Sequence, residues 1–411
     1  MELPLNFAKF LTAISIQQMA SLSLNLALQM SRRLKKRFRL IINYFLSMKL
    51  LYTISILIVM LQACAVTNET VKEIQENKAF ESFEQLPLEQ KTVTPFLPKE
   101  LSEKLILGSW AKLITYDSTI VILSNKFDSF ISLIDLKKGN IIDTGMEGRG
   151  PGELATPMSV IKSPVDGYFD VFDTNLKAIF RYNLDSSLHY TSTYLPQKIN
   201  LVRPDEKFFD YFGLEYGFLG ENKIVGYGNF YNQNRWSIYN TDNKTFKYTH
   251  EYTFDPEDKA ETMFKTLAYQ GSMVTQNNKL VWMCSYSPII EFYEFSSDSL
   301  RLKNRVQKGT VKYIADNSGG GIGSALKPEN QMGFITLDVD NKHIYTLYSG
   351  ELIKNTKGDG KGDKIYVFDW EGNFIKGYKT DQELIGLTKV PEQDLLYVVS
   401  ASTGELLKME L

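Results

Sequence analysis

Three histidines, His189, His250 and His343, are the side chains in this sequence best suited to acid–base catalysis. Histidine titrates near neutral pH, so it often serves as the base that activates a serine or cysteine nucleophile. Each of the three lies in or beside a predicted strand, with no second histidine nearby in the sequence. The sequence also has no Gly-x-Ser-x-Gly pattern, which marks the exposed serine of many hydrolases. We expect the three histidines to be structural and predict no catalytic residue.

Two cysteines, Cys64 and Cys284, are too few for a zinc cluster, which needs four nearby ligands. Cys284 lies in an apolar run and is predicted to be a buried strand residue. Residues 357–363 hold two aspartates among lysines but lack the glutamate of a calcium loop, so they indicate a solvated turn. The glycine stretch 318–324 has no following helix and is typical of an insertion. We predict no metal and no cofactor.

The residues before Cys64 are typical of a bacterial secretory signal. A lysine at position 49 precedes the apolar run 50–61, and Ala63 stands just before Cys64. The run is shorter than the roughly 20 residues that span a bilayer. Residues 61–64, Leu-Gln-Ala-Cys, resemble the bacterial lipobox, which implies cleavage between Ala63 and Cys64 and a lipid on Cys64. The alternative is a signal-anchor helix that happens to end in a cysteine.

Residues 1–47 stand before a signal that is already complete at residues 48–63. Their basic cluster at 32–39 fits either a long cytoplasmic n-region or an upstream extension of a protein that starts at Met48. We favour the extension and exclude residues 1–47 from the fold. Residues 64–90 are rich in Glu, Lys, Asn, Thr and Gln, and we predict that they tether the lipid to a domain of residues 91–411.

The charge of the chain is distributed unevenly. Its net charge is −2, yet residues 1–63 carry eight basic residues and one acidic residue, which leaves 38 basic and 47 acidic residues after position 63. Since affinity for nucleic acids depends on cations that contact phosphates, an acidic domain is a poor nucleic-acid partner. We therefore exclude nucleic acid and expect the membrane to be reached through the lipid.

A repeat of short strands and polar turns organises the domain. Five strands end in an apolar residue that is followed by a polar one, and a polar turn then leads into the next strand. The five marker residues are Asp135, Asn183, Asn240, Glu294 and Asp369. They are separated by 48, 57, 54 and 75 residues. Intervals of this size suit one four-stranded antiparallel blade and a loop, so the repeat predicts a β-propeller.

The blade count comes from this repeat and from the C-terminus. Five marker turns give five blades, and residues 384–411 supply three further strands. Propellers hide their edges by ring closure, which can borrow a strand from the other end of the chain. Segment 90–107 is the candidate donor. We therefore predict an all-β, six-bladed propeller of four-stranded antiparallel blades, with the last blade closed by an N-terminal strand.

One motif resembles a known family. Residues 148–154 read Gly-Arg-Gly-Pro-Gly-Glu-Leu. They resemble the Gly-x-Gly-Pro-Gly-Glu-Phe signature of the TolB-like six-bladed propeller lipoproteins, with leucine in place of phenylalanine. The resemblance extends over residues 105–185 and implies a propeller in the cell envelope; it implies almost nothing about chemistry. Glycines and a proline suit a tight crossing between blades better than a phosphate loop. The signature residues are Gly148, Gly150, Pro151, Gly152 and Glu153.

Aromatic residues are concentrated in the third predicted blade. Tyr211, Tyr216 and Trp236 could stack on a sugar or a peptide, although propeller cores are also rich in aromatic residues. We predict a non-enzymatic envelope lipoprotein that presents a rigid face to a protein, peptide or glycan. The alternative is a lyase or hydrolase with an active site at the mouth of the central channel. A purely structural role in the periplasm is a third possibility.

Overall fold

The computed structural model describes residues 83–105, 107, 110–125, 128–189, 194–201, 214–228, 233–296, 298–316, 323–356 and 360–411. All of them belong to one compact unit, Glu76–Leu411. Within these ranges no helix is long and apolar enough to cross a membrane. The signal, the cleavage point at Ala63 and Cys64, and most of the tether lie outside the described residues.

The described chain begins with short N-terminal elements. A 3-10 turn covers Phe83–Gln85, and it is followed by β1 (Glu89–Lys91), β2 (Thr94–Pro95) and helix α1 (Lys99–Ser102). Phe83 is only 1% exposed and packs in the core, where its ring lies 5.4 Å from that of Tyr348. The expectation that the tether extends to residue 90 is therefore wrong. The polar composition of the segment did not indicate the buried Phe83, because one aromatic residue hardly changes the average hydrophobicity of a segment.

Four sheets of four antiparallel strands come next, each with its strands side by side in chain order. Sheet 1 holds β3 (Ala111–Tyr116), β4 (Thr119–Ser124), β5 (Ser129–Asp135) and β6 (Asn140–Met146). Sheet 2 holds β7 (Pro157–Lys162), β8 (Tyr168–Asp173), β9 (Ala178–Asn183) and β10 (Gln197–Asn200), with helix α2 (Leu184–His189) before β10. Sheet 3 holds β11 (Glu215–Phe218), β12 (Lys223–Tyr227), β13 (Asn234–Asn240) and β14 (Thr245–Glu251). Sheet 4 follows helix α3 (Thr262–Ala268) and holds β15 (Gly271–Gln276), β16 (Lys279–Cys284), β17 (Ile289–Ser296) and β18 (Ser299–Gln307).

A hairpin and a larger sheet complete the chain. The hairpin pairs β19 (Tyr313–Asp316) with β20 (Gly323–Leu326). Most of the glycine stretch 318–324 lies between these two strands in the sequence. Sheet 5 holds β21 (Phe334–Val339), β22 (His343–Tyr348), β23 (Gly362–Asp369), β24 (Phe374–Lys389), β25 (Leu395–Ser400) and β26 (Leu406–Glu410), with helix α4 (Ile353–Thr356) before β23. The first part of β24 pairs with β23 and its last part with β25. Strand β1 pairs with β24, and β2 pairs with β26.

Several marker turns form as the repeat predicts. Asp135 Oδ1 accepts the N–H of Lys137 (2.9 Å) and Asp369 Oδ1 accepts that of Glu371 (3.0 Å), so each carboxylate closes the turn that follows its strand. Two markers differ. Asn183 leads into α2 rather than a tight turn, and Glu294 lies inside β17 because that strand continues to Ser296.

The first strands of successive sheets contact one another in chain order, and the end of β24 contacts β3. Buried apolar clusters fill the spaces between neighbouring sheets, and one of them packs residues of sheet 1 against Val399 and Leu406 of sheet 5. Alternating burial along strands such as β18 places apolar side chains in these clusters. The fold is therefore all-β, with mainly antiparallel strands arranged in propeller-like blades.

Candidate functional site

A cavity of about 400 Å³ lies among the first strands of the sheets. Its walls come from β3, β7, β11, β15 and β21, together with the turns that follow some of these strands. Among the described strands, each of the five is hydrogen-bonded to a neighbour on one edge only. The other edge therefore carries backbone N–H and C=O groups that side chains, water or a ligand must satisfy.

An ion pair crosses this space near the N-terminal ends of the strands. Lys112 on β3 donates from Nζ to Glu215 Oε1 on β11, although sheet 2 stands between their sheets in the chain. Glu215 also accepts hydrogen bonds from Ser272 Oγ (3.2 Å) and from the backbone N–H of Met273 (2.7 Å) on β15. One carboxylate thus joins sheets 1, 3 and 4 by charge-assisted hydrogen bonds.

Asp338, at the other end of β21, has an equivalent role. Its carboxylate accepts hydrogen bonds from Thr388 Oγ1 (2.7 Å), from the N–H of Lys389 (2.8 Å) and from the N–H of Val339 (2.8 Å). Thr115 Oγ1 on β3 donates to Lys389 O over 2.6 Å. Burial lowers the pKa of Lys389, against the opposing effect of nearby aspartates. Asp338 and Thr115 together attach the end of β24 to both of its neighbours in the ring.

The wall of the cavity also carries hydroxyl groups. Ser159, Thr275 and Thr336 all line it. Thr275 Oγ1 accepts the N–H of Phe218 (3.0 Å). Ser159 is 3% exposed, and its Oγ has no hydrogen-bond partner within the described chain. The Ser159 oxygen is also inaccessible to solvent, so it offers no free donor to the cavity.

A second polar cluster is enclosed between sheets 3 and 4. Glu291 is fully buried and accepts hydrogen bonds from Arg235 Nη1 (2.6 Å), Arg305 Nε (2.7 Å) and Tyr293 OH (2.9 Å). Burial would raise the pKa of Glu291, but the charges of the two arginines reverse this, so its pKa lies below the ordinary value.

Aromatic rings surround the arginine of this cluster. The guanidinium carbon of Arg235 lies 4.3 Å from the centre of the Trp282 ring and 4.7 Å from that of Phe254. The rings provide cation–π contacts where water is excluded. With two arginines and one carboxylate, the cluster is a buried structural network whose stability depends on all three side chains.

The signature residues form the crossing from β6 to β7. Glu153 Oε2 accepts the N–H of Gly150 (2.6 Å), and Gly152 has a φ of +78°, a conformation that favours glycine. A side chain on Gly148 would overlap the Glu153 carboxylate. A strand follows instead of a helix, as expected for a blade crossing.

Two of the predicted stacking residues are core residues. Tyr216 is 1% exposed and Trp236 is fully buried. The ring of Tyr216 lies 4.1 Å from that of Phe172, and Trp236 Nε1 donates to Tyr293 OH (3.3 Å). The expectation that these two rings form a binding platform is wrong, because the apolar space between sheets takes up their large surfaces. Tyr211 lies outside the described residues, as do Ala63 and Cys64.

The histidines belong to different elements. His189 ends α2, so its expected place beside a strand is wrong; Asn183 caps the first turn there by accepting the N–H of Ser186 (2.8 Å). His250 lies in β14 and His343 begins β22.

Cys284 is fully buried in β16, as predicted, and burial raises its pKa to about 12. No three His, Cys, Asp or Glu residues of the described ranges are grouped to hold a metal.

Four residues of the cavity are not predictable as site residues from the sequence: Lys112, Glu215, Ser159 and Asp338. Their one common signal is a polar residue in the first strand of a blade, where the neighbouring residues are mostly apolar. That signal is weak, because a lone polar residue in a strand usually faces solvent.

Comparison with solved structures gives distant similarities. The chain is similar to a DUF4221-family protein from Bacteroides vulgatus, with 11% identity, a TM-score of 0.45 and coverage of 79% of this chain and 97% of that one. It is also similar to BamB from Moraxella catarrhalis, with 14% identity, a TM-score of 0.37 and coverage of 75% of this chain and 86% of that one. Its similarity to a luciferin-regenerating enzyme has 10% identity, a TM-score of 0.47 and coverage of 78% of this chain and 95% of that one. These scores are too low to carry an argument about function. No curated protein matches the chain significantly.

The sheets, their ring of first strands and the cavity define a propeller-like protein. The model of the TolB-like 6-blade propeller-like family matches residues 102–392. The chain belongs to this family, which confirms the resemblance found in residues 148–154.

Proposed function

We propose that this chain is a cell-envelope lipoprotein whose propeller is a non-enzymatic binding module for a protein, peptide or glycan. The observation that carries the proposal is the central cavity of about 400 Å³, a size within the range of ligand pockets (about 300–1,000 Å³). The carboxylates of Glu215 and Asp338 each accept three hydrogen bonds from the protein. Groups held in this way are suited to fixing the shape of a site rather than to transferring protons.

We infer that six blades surround this cavity. Sheets 1 to 4 supply four of them, and β24 divides sheet 5 into two more, because its first part pairs with β23 and its last part with β25. In the sixth blade, β2 would be the outer strand, since Thr94 lies opposite Lys408. The closure is short, and the stacking of Phe96 on Tyr397, 4.5 Å between ring centres, supports it.

The envelope location is supported by the signal-like residues 48–63 and by the lipobox-like residues 61–64. Its test compares the full-length wild-type protein with the variant Cys64→Ser in cells labelled with palmitate. We expect the wild type to incorporate the label and to be cleaved after Ala63, and we expect the variant to do neither. A membrane-bound wild type that is neither labelled nor cleaved would instead indicate a signal-anchor helix.

The binding function is tested with the full-length protein in detergent on glycan and peptide arrays. Gln276 lines the cavity, so Gln276→Trp should fill part of it; Gln197→Trp, on the exposed outer strand β10, is the matched control. We expect saturable binding that Gln276→Trp abolishes and Gln197→Trp retains. Turnover of an array ligand would instead favour the enzyme, and binding unaffected by Gln276→Trp would place the site elsewhere.

A further inference from the structure

We propose that residues 252–254 form a strap that closes over the buried Glu291 at neutral pH and opens in acid when His250 takes up a proton. The strap follows β14 and belongs to no strand or helix. It covers the gap between sheets 3 and 4, in which Glu291 and its two arginines are enclosed. What the central cavity binds does not enter into this opening.

Side chains of sheet 4 hold the strap in place. Arg305 Nη2 donates to Thr253 Oγ1 (3.0 Å), and Gln307 Nε2 donates to Phe254 O (3.0 Å). Among the described residues, no backbone–backbone hydrogen bond involves the strap. The centre of the Phe254 ring lies 4.7 Å from the guanidinium carbon of Arg235 and 4.8 Å from that of Arg305. A segment held by a few side chains opens locally at a lower cost in free energy than a strand inside a sheet.

His250 is the hinge at which the chain leaves β14 for the strap. Its φ is +58°, in the left-handed region, and it interrupts the regular pairing of β14 with β13. The half-buried ring packs edge-on against Tyr293, 5.5 Å between ring centres. Thr249 Oγ1 lies 3.0 Å from Nδ1 of the ring, and Tyr293 OH donates to Glu291 Oε2 (2.9 Å). One tyrosine therefore separates the imidazole from the buried carboxylate.

The charges that face His250 oppose its protonation while the strap is closed. They are Arg235 on β13, Glu291 on β17 and Arg305 on β18, two cations and one anion with a net charge of +1. The phenol of Tyr293 is neutral, because burial raises its pKa. A proton on His250 would increase the net charge of this enclosed group to +2.

The direction of the pH effect follows from two pKa values. Burial, and then the charge of Arg235, lower the pKa of His250 to about 4 when the strap is closed. When the strap opens, the ring reaches water, where the pKa of histidine is about 6.5. The open form therefore binds a proton between pH 4 and pH 6.5 that the closed form does not bind, and acid favours the open form.

Cys284 provides a probe of the opening. It is fully buried in the same apolar cluster as Tyr252 and Phe254 of the strap. The only other cysteine of the sequence is Cys64, so the full-length variant Cys64→Ser has a single thiol. Its rate of reaction with dithiodipyridine, which modifies thiols in acid as well as at neutral pH, is measured in detergent and divided by the rate in urea at the same pH. We expect this ratio to be about 10- to 100-fold higher at pH 4.5 than at pH 7.

Two histidine variants, each made in the single-thiol chain, assign the effect. Asparagine tolerates a positive φ, so His250→Asn should fold and should show nearly the same ratio at both pH values. The matched control is His343→Asn, which changes a partly exposed histidine on sheet 5 and should keep the full increase in acid. A third variant, Gln307→Ala, removes the donor to Phe254 O and should raise the ratio by about 3–10-fold at pH 7 as well as at pH 4.5.

Three results would overturn the proposal. They are a thiol that stays unreactive at pH 4.5, an equal increase in acid for His250→Asn, and a loss of β-sheet circular dichroism together with the increase, since the whole domain would then unfold. If His250→Asn fails to fold, the chain with His250 still decides, because one proton requires a change of close to tenfold per pH unit near pH 5. A flat or a steeper profile would also overturn the proposal. None of these results bears on the binding function, which the arrays test.

Discussion

Arg235 and Glu291 form an ion pair, 2.6 Å between Nη1 and Oε2, in which both side chains are almost completely buried. Arg305 approaches the other carboxylate oxygen, so Glu291 is the counter-charge of two guanidinium groups. Removing one partner of a buried ion pair leaves an uncompensated charge. The interior between sheets 3 and 4 therefore depends on a single carboxylate.

The first prediction concerns that carboxylate. Glu291→Gln should lower the free energy of unfolding by about 3–5 kcal/mol, because two buried arginines lose their counter-charge. Urea unfolding followed by tryptophan fluorescence measures the change. The control is Glu294→Gln on the same strand, where the ion pair with Lys303 is 45% exposed at the glutamate and should be worth about 1 kcal/mol or less. Equal midpoints for the two variants would contradict a structural role for the buried network.

The second prediction concerns His250. Burial, and then the charge of Arg235, lower its pKa from 6.5 to about 4. Between pH 4 and pH 6.5, His250 therefore binds a proton in the unfolded chain but not in the folded chain. The free energy of unfolding should fall as the pH drops from about 6.5 to about 4. Above pH 6.5 His250 should contribute no pH dependence.

The variant His250→Asn tests this assignment. Residue 250 has a φ of +58°, which asparagine tolerates better than most residues. Unfolding curves at half-unit steps should show a flatter pH profile for the variant than for the wild type between pH 4 and 6.5. Parallel profiles would assign the acid sensitivity to other groups.

The third prediction tests the N-terminal anchor. Phe83→Ala should cost about 3–5 kcal/mol, the range for a large aromatic residue removed from a core. The ring contacts Phe334, Tyr348 and Tyr366, and Tyr366 OH donates to Phe83 O over 2.8 Å. Gln85→Ala, two residues further and exposed, should change stability by no more than about 0.5 kcal/mol. If both variants unfold at the same urea concentration, residues near position 83 belong to the tether after all.

The fourth prediction uses Cys284 as a probe. Burial raises its pKa to about 12, and the side chain is inaccessible, so the native protein should not react with a thiol reagent at pH 8. In urea, the protein should titrate one thiol if, as proposed, a lipid blocks the sulfur of Cys64. Two thiols in urea would contradict lipidation, and a reactive thiol without urea would contradict the burial of β16.

Much of the fold can be predicted from the sequence, because the strands of one blade are neighbours in the chain and pair with one another. The apolar and β-branched content of residues 120–123, 280–283 and 344–347 is typical of strands, and these residues lie within β4, β16 and β22. Turns such as that at Asp135 depend on side chains a few residues away. The contacts that build the cavity are not local. Lys112 and Glu215 are 103 residues apart, and their meeting depends on the order and curvature of three sheets.

The burial of Tyr216 and Trp236 was missed for a related reason. Which face of a blade packs against its neighbour depends on the register of strands in both, and strand alternation alone leaves the two faces equivalent. Phe83 was missed because its partners, Tyr348 and Tyr366, come from the opposite end of the chain.

The pairing of β2 with β26 has a consequence for how the protein matures. Thr94 emerges from the ribosome long before Lys408, its partner across the strand pair. The early sheets can form as soon as they are made, but the last sheet must wait for its own C-terminal strands. The last sheet is complete only after the final residues of the chain have been made, so a nonsense codon near the C-terminus would leave two open sheet edges exposed to aggregation.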